Sequence, residues 1–366
     1  MLKTKREKMI MSLRRTLLII LLILQAMLIA ACKTSEPLAP VTEKPEENPP
    51  GARDYEWTVD TLDTPDTDLF RFWGTSPSDL WVGGTGIDVS NNLWHYDGIK
   101  WEKSNIKDYG SLRVRSIFGF SSSDIWLSGE SGKIWHGDGK SWNESMQFSS
   151  EGYRFISLSS IWGETPDNIY AVGVYDSLLH DTDNLHALIF HFNGKSWERI
   201  SLAQNSYQLH FIYKEKENKN YYLYSTITNY KDMTDTLKCL EFDGTNLKEI
   251  ASLLYTDNRN MTMSKINGKI YYFINSDMCR YINGKMEVIK TIEGINRGYV
   301  LGGRNENDLF FYLPGAVYQY NGSDLMFICT IPKILRIYDM AVFEKEVFIL
   351  ANLTLTKSYI IKGKLK

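Results

Sequence analysis

Six arginines and one histidine recur near the starts of equivalent segments of this chain: Arg71, Arg115, Arg154, His210, Arg259, Arg297 and Arg336. A guanidinium is a planar fork of donors that holds a carboxylate or sulfate through two parallel hydrogen bonds. If these residues gather at one place, they make a basic mouth for an anionic ligand. The competing expectation is local pairing, with Asp68, Glu151 and Asp339 as the nearest acids in sequence. A second group is acidic and polar: Asp88 in one insertion, Tyr175, Asp176, His180, Asp181, Asp183 and His186 in another, Tyr230 and Asp232 in a third. Hard cations take several oxygens, which Asp181-Thr182-Asp183-Asn184 could offer. That stretch lacks the glycine and distal glutamate of a helix-loop-helix calcium loop, so it reads as a solvated loop, and no metal or other cofactor is expected. Cys239, Cys279 and Cys329 have no zinc-ligand spacing to histidine. Cys239 and Cys279 each precede a repeat glycine by five residues, where other repeats carry Leu93, Ile134 or Ile189. They read as small apolar core residues. No G-x-S-x-G nucleophile elbow occurs, and no catalytic residues are assigned.

The elements that must position these side chains come from an internal repeat. The segment FWGTSPSDLWVG (72–83) returns as IFGFSSSDIWLSG (117–129) and IWGETPDNIYAVG (161–173), with first glycines 45 and 44 residues apart. Hairpin signals follow at Asp97-Gly98, Asp138-Gly139, Asn193-Gly194, Asp243-Gly244, Asn283-Gly284 and Asn321-Gly322, with a degenerate seventh at Lys362-Gly363. Asp-Gly and Asn-Gly suit type I′ turns, which need positive φ at both central residues. A strand aromatic keeps step: Trp81, Trp126, Tyr170, Tyr222, Tyr271, Phe310 and Phe348. Both markers count seven. A period of roughly 40–50 residues with four short strands per unit is the mark of propeller blades. The expectation is an all-β, seven-bladed propeller over residues 55–366. Tyr55-Glu56-Trp57-Thr58-Val59 reads as an orphan outer strand that completes the last blade.

Within each blade, strands are labelled a to d from the channel outward. The distance from the strand-b aromatic to the hairpin glycine is about ten residues longer in blades 3 and 4, and about four longer in blade 1. That surplus falls on the b–c side, which holds the three polar insertions. Loops on a rigid scaffold are where recognition is usually built, so the b–c face is the expected binding face.

The N-terminus carries six basic groups and one acid, then an apolar run from Leu17 to Ala31 broken by Gln25. Fifteen helical residues span about 22 Å, short of the ~30 Å hydrocarbon core, which favours a signal segment over a membrane span. The run ends Leu28-Ile29-Ala30-Ala31-Cys32. This resembles a bacterial lipobox. The resemblance implies cleavage after residue 31, acylation of Cys32, and, with Lys33 next, placement at the outer membrane, facing the periplasm or the cell surface. Residues 32–54 hold five prolines and few large apolar groups, and read as a disordered tether. The whole chain is at −3 and the part after residue 31 at −8. This argues against nucleic acid, whose phosphates need a basic surface.

The repeats also resemble a degenerate bacterial propeller family with the pattern W-G-x-S-x-x-D-I-W-A-V-G…H-Y-D-G-x-x-W, best over residues 70–202, with a distant likeness to kelch units in Gly83-Gly84, Tyr96 and Trp101. The resemblance specifies the fold and says little about activity. The expected function is non-catalytic recognition or scaffolding by a monomeric domain, with a protein or an anionic glycan of the cell envelope as partner. The alternative is a carbohydrate-active hydrolase or lyase at the channel mouth, which would need two facing carboxylates.

Overall fold

The computed structural model describes residue 51 and residues 53–87, 89–104, 113–149, 153–177, 185–203, 206–229, 231–256, 259–295 and 298–366; the side chains of Val89, Tyr153, Arg154 and Ser177 also lie outside the description. Seven four-stranded antiparallel sheets form the seven blades. Blade 1 has strands Thr67–Ser76, Asp79–Gly86, Leu93–Tyr96 and Trp101–Lys103, in order a to d. Each aromatic marker sits in a strand b, and seven apolar clusters form the core, each joining two neighbouring blades. No sheet could bury both faces alone. The ring supplies each with two partners, which is why the period survives when the residues drift.

Closure is as expected. Tyr55–Asp63 pairs antiparallel with Lys357–Leu365 as strand d of blade 7. Trp57 lies opposite Gly363, where Trp101, Trp142 and Trp197 face Tyr96, Gly137 and Phe192 in blades 1 to 3. A Cβ at Gly363 would meet the Trp57 ring at 2.6 Å. Gly363 is therefore a strand glycine under a tryptophan, not the seventh hairpin turn its spacing suggested. Blade 7 needs no c–d turn, because its fourth strand comes from the other end of the domain. The seam is further tied by Arg304, whose guanidinium donates to Tyr55 Oη at 3.2 Å and ion-pairs Asp308 at 2.8 Å.

The turns differ from expectation in five blades. Asn283-Gly284 has positive φ at both residues, 52° and 79°, in a two-residue hairpin of the I′ kind. At Asp97, Asp138, Asn193, Asp243 and Asn321 only the following glycine is left-handed. The side-chain oxygen instead accepts two backbone N–H groups, as Asp97 does from Ile99 and Lys100 at 2.8 Å each. The short polar side chain does locally what a tighter backbone turn would otherwise do. These hydrogen bonds hold the Asp97 and Asp138 carboxyls below the usual range.

Strand a runs from the face bearing the b–c connections to the face bearing the a–b and c–d turns. The N-terminal strand enters on the second face. Arg53 donates there to the carbonyls of Gln319 and Asp324 beside the blade 6 c–d turn.

Candidate functional site

The channel is shaped by a feature invisible in the spacing. In six blades, strand a carries a one-residue bulge against strand b: at Phe70, Arg115, Ser159, His210, Leu301 and Tyr338. Blade 5 has none. A bulge leaves one residue unpaired and re-aims its neighbours. It fixes the true register among blades. Arg115 and His210 occupy the bulge itself, Arg71 follows it, Arg336 lies two residues before it, and Arg154 five before it. Arg259 precedes its strand altogether, in the connection where it pairs Thr256 through backbone bonds of 3.2 and 3.0 Å. The described basic residues therefore sit at several levels along the strands.

Two connected chambers occupy the channel. The outer, of ≈ 450 Å³, opens at the b–c mouth among Arg71, His210, Tyr224, Thr226, Tyr299 and Tyr338. The inner, of ≈ 320 Å³, continues past Arg71 to Asp339, Trp73, Phe118 and Trp162. Arg71 and His210 are thus brought together; of the other described candidates, Arg115, Arg259 and Arg336 line neither chamber. Arg115 is held by Glu130 at 2.7 Å, which also pairs Arg113 at 2.9 Å. Arg336 is exposed at its strand start, and so is Arg259. Arg297 and the Arg154 side chain lie outside the described residues.

Arg71 packs over the Phe211 ring at 5.3 Å and donates to the Phe70 carbonyl at 3.1 Å. Among the described residues no carboxylate lies within ion-pair distance of it. His210 Nε2 meets Thr226 Oγ1 at 2.9 Å. Burial, helped by the Arg71 charge, pushes the His210 pKa down to about 4. The ring is neutral at ordinary pH, so among the described residues Arg71 is the one formal charge lining the outer chamber. Burial likewise raises Tyr213 to about 12.

Asp339 was expected as a partner for Arg336. Its oxygens instead accept the N–H groups of Phe72 and Met340, at 2.9 Å each. Phe72 belongs to blade 1, so this carboxylate ties the last blade to the first. Water reaches it through the channel, yet protein packs densely around it, and that desolvation raises its pKa against the opposing pull of Arg71 and the two amides. Among the described residues lining the two chambers Asp339 is the one carboxylate, so the described lining offers no second acid to face it, as glycoside hydrolysis requires.

The insertions behave differently from free loops. In blade 4, strands Tyr221–Asn229 and Thr234–Phe242 run long, and most of the surplus is paired hairpin. Asp232 caps the tip, accepting from Asn229 Nδ2 at 3.0 Å and from the Thr234 hydroxyl at 2.6 Å. In blade 3, Tyr175 turns into the core at 8% exposure, with half-buried His186 against it at 5.1 Å; Asp176 is half-buried in the same strand as Tyr175. Asp88, His180, Asp181, Asp183, Tyr230 and Cys32 lie outside the described residues.

Sequence spacing missed Tyr224, Thr226, Phe211, Tyr299 and Tyr338 as channel residues. Their one readable signal was position in strands a and b, which the bulges shift by a residue.

The class this geometry defines is a velcro-closed, seven-bladed β-propeller with an open channel mouth. No family profile matches the chain, and no curated protein matches it. Among solved structures it is similar to one described as YCF48 bound to D1 peptide, at 15% identity over 87% of this chain and 100% of that one, TM-score 0.58. It is also similar to the WD40 β-propeller domain of Doa1, at 14% identity over 85% and 97%, TM-score 0.53. At such identities the likeness shows the fold.

Proposed function

We propose that the protein is a non-catalytic recognition or scaffold lipoprotein, anchored through Cys32 at a bacterial outer membrane, that binds a peptide segment of an envelope protein on its b–c face. One observation carries this. Many exposed large apolar side chains lie on that face, Ile87 (82% exposed), Met233 (77%), Tyr255, Tyr299, Ile334 and Leu355, against Ile99 on the opposite turns and Val288, Ile289, Met326 and Phe327 on the outer strands of blades 5 and 6. Scattered apolar groups need no explanation, but several of them on the face with the concave mouth fit a partner surface. The similarity to a propeller described with a bound peptide supports choosing a peptide over a glycan.

The test is capture of partners from solubilised envelopes with the full-length protein. Met233→Asp with Ile334→Asp should abolish capture, while Ile99→Asp leaves it intact. Equal capture by both variants would sink the reading. Cys32→Ala should release the protein from membranes; persistent membrane fractionation refutes acylation.

A further inference from the structure

The geometry points to a carboxylate socket at the b–c mouth of the channel, in which Arg71 clamps one carboxylate of an incoming peptide, flanked by His210 and Thr226. This deepens the peptide reading of that face and rests on it.

Three features converge on the socket. First, Arg71 differs from the other half-buried arginines in described strands. Arg115 meets Glu130 at 2.7 Å, Arg280 meets Glu215 at 2.8 Å, and Arg304 meets Asp308 at 2.8 Å. Arg71 has a backbone carbonyl and a ring face and, among the described residues, no carboxylate within ion-pair distance; Asp339, one layer deeper, acts on it only through space. A guanidinium half-removed from water without a counter-ion is held at a cost unless something else uses it. Secondly, it faces an open chamber of ≈ 450 Å³ and not a packed interior. Thirdly, the walls suit a chain that presents one acid. Tyr224, Tyr299 and Tyr338 offer ring faces and hydroxyls, while Thr226 and neutral His210 offer weak polar contacts beside the fork.

The charge count selects the ligand. Among the described residues one positive charge, Arg71, lines the outer chamber, with Arg336 reaching the Tyr338 hydroxyl at its edge, and Asp339 lies one layer deeper. A dianion such as a phosphate monoester would meet too little positive charge and the field of Asp339. A monoanionic carboxylate is matched in both charge and planarity by the fork.

The experiment titrates full-length protein in detergent with three acetylated alanine-rich tetrapeptides: a free C-terminal acid, its amide, and an amide with one internal glutamate. At least one acid-bearing probe should bind and the neutral amide should not. Binding of the free acid alone assigns the terminal carboxylate, and binding of the glutamate probe assigns a side chain. Arg71→Gln should weaken binding about 10- to 100-fold, as loss of a charge-assisted hydrogen bond does, with Arg71→Lys between. Thr226→Val, which leaves the charge in place, should weaken it by less, and thermal melting checks that each variant is folded. Failure of both acid probes to bind, an unchanged affinity in Arg71→Gln, or better competition by methyl sulfate than by acetate overturns the socket. If Arg71→Gln still captures the envelope partner while Met233→Asp with Ile334→Asp does not, the socket fails and the face reading stands.

Discussion

Blades 1 to 3 and blades 4 to 7 solve the same local problem with different chemistry. In blade 1, Trp81 of strand b stacks on His95 of strand c at 4.3 Å, and His95 Nε2 bonds Asp79 at 2.8 Å. Blade 2 repeats this with Trp126, His136 and Asp124, and blade 3 with Tyr170, His191 and Asn168. Each clamp is internal to its blade. From blade 4 onward the strand-c partner becomes Glu241, Arg280, Gln319 and Lys362, opposite Tyr222, Tyr271, Phe310 and Phe348. Blades 4, 6 and 7 still find a polar group at the start of their own strand b: Asn220 to Glu241 at 2.8 Å, Gln319 to Asp308 at 2.6 Å, Lys362 to Glu346 at 3.3 Å. Blade 5 cannot, because Lys269 stands there. Arg280 turns instead to Glu215, from the a–b connection of blade 4, with two bonds of 2.8 Å. The lesson is that a repeat can lose its residues and keep its geometry, provided a cross-strand aromatic retains some polar cover, even a neighbour's.

Breaking the comparison begins with its aromatic. Trp126→Ala removes a 3%-exposed ring and should cost about 3–5 kcal/mol by denaturant unfolding; a loss below about 1 kcal/mol would show that the stacked histidine carries no shared core. Glu215→Ala comes next. It strands Arg280 and unties two blades, with a loss of about 2 kcal/mol after allowance for partial exposure. Adding Lys269→Asp, which restores an acid at the slot Asp79 fills in blade 1, should recover roughly half of that loss. Failure to recover would mean blade 5 depends on the inter-blade bond itself.

His210 sharpens the contrast between clamp histidines and the channel histidine. Its folded pKa is about 4 against an ordinary 6.5. As pH falls through that window the unfolded chain takes up a proton that the folded chain refuses. Stability should therefore drop by up to about 1.4 kcal/mol per pH unit, and His210→Asn should flatten the slope. Smallest is Gly284→Ala. Open space surrounds it, so only its φ of 79° resists, at about 1 kcal/mol.

The architecture was legible because hairpin turns and strand aromatics obey backbone rules that hold in every blade. Even Gly363, misread as a turn, kept the period, since Trp57 needs a glycine beneath it. The clamps were less legible. His95 and His136 are visible in the sequence, but Glu241, Arg280, Gln319 and Lys362 share no chemistry that a pattern could capture, and cross-strand register alone equates them. The channel was least legible. Arg71 and Arg115 look equivalent by counting, yet one bulge position separates them, and it decides that one meets Glu130 and the other an open chamber.

The route by which the chain enters its own ring has a directional consequence. Residue 54 arrives among the c–d turns and is fastened there, with Lys366 Nζ at 2.9 Å from the Asp54 carboxylate. If Cys32 carries the acyl groups as proposed, the residues between it and Asp54, with a fully extended reach of roughly 70 Å, join the ring on that face. The attachment point and the Arg71 mouth then lie on opposite faces of the ring, so the tether leaves the mouth unobstructed where it joins.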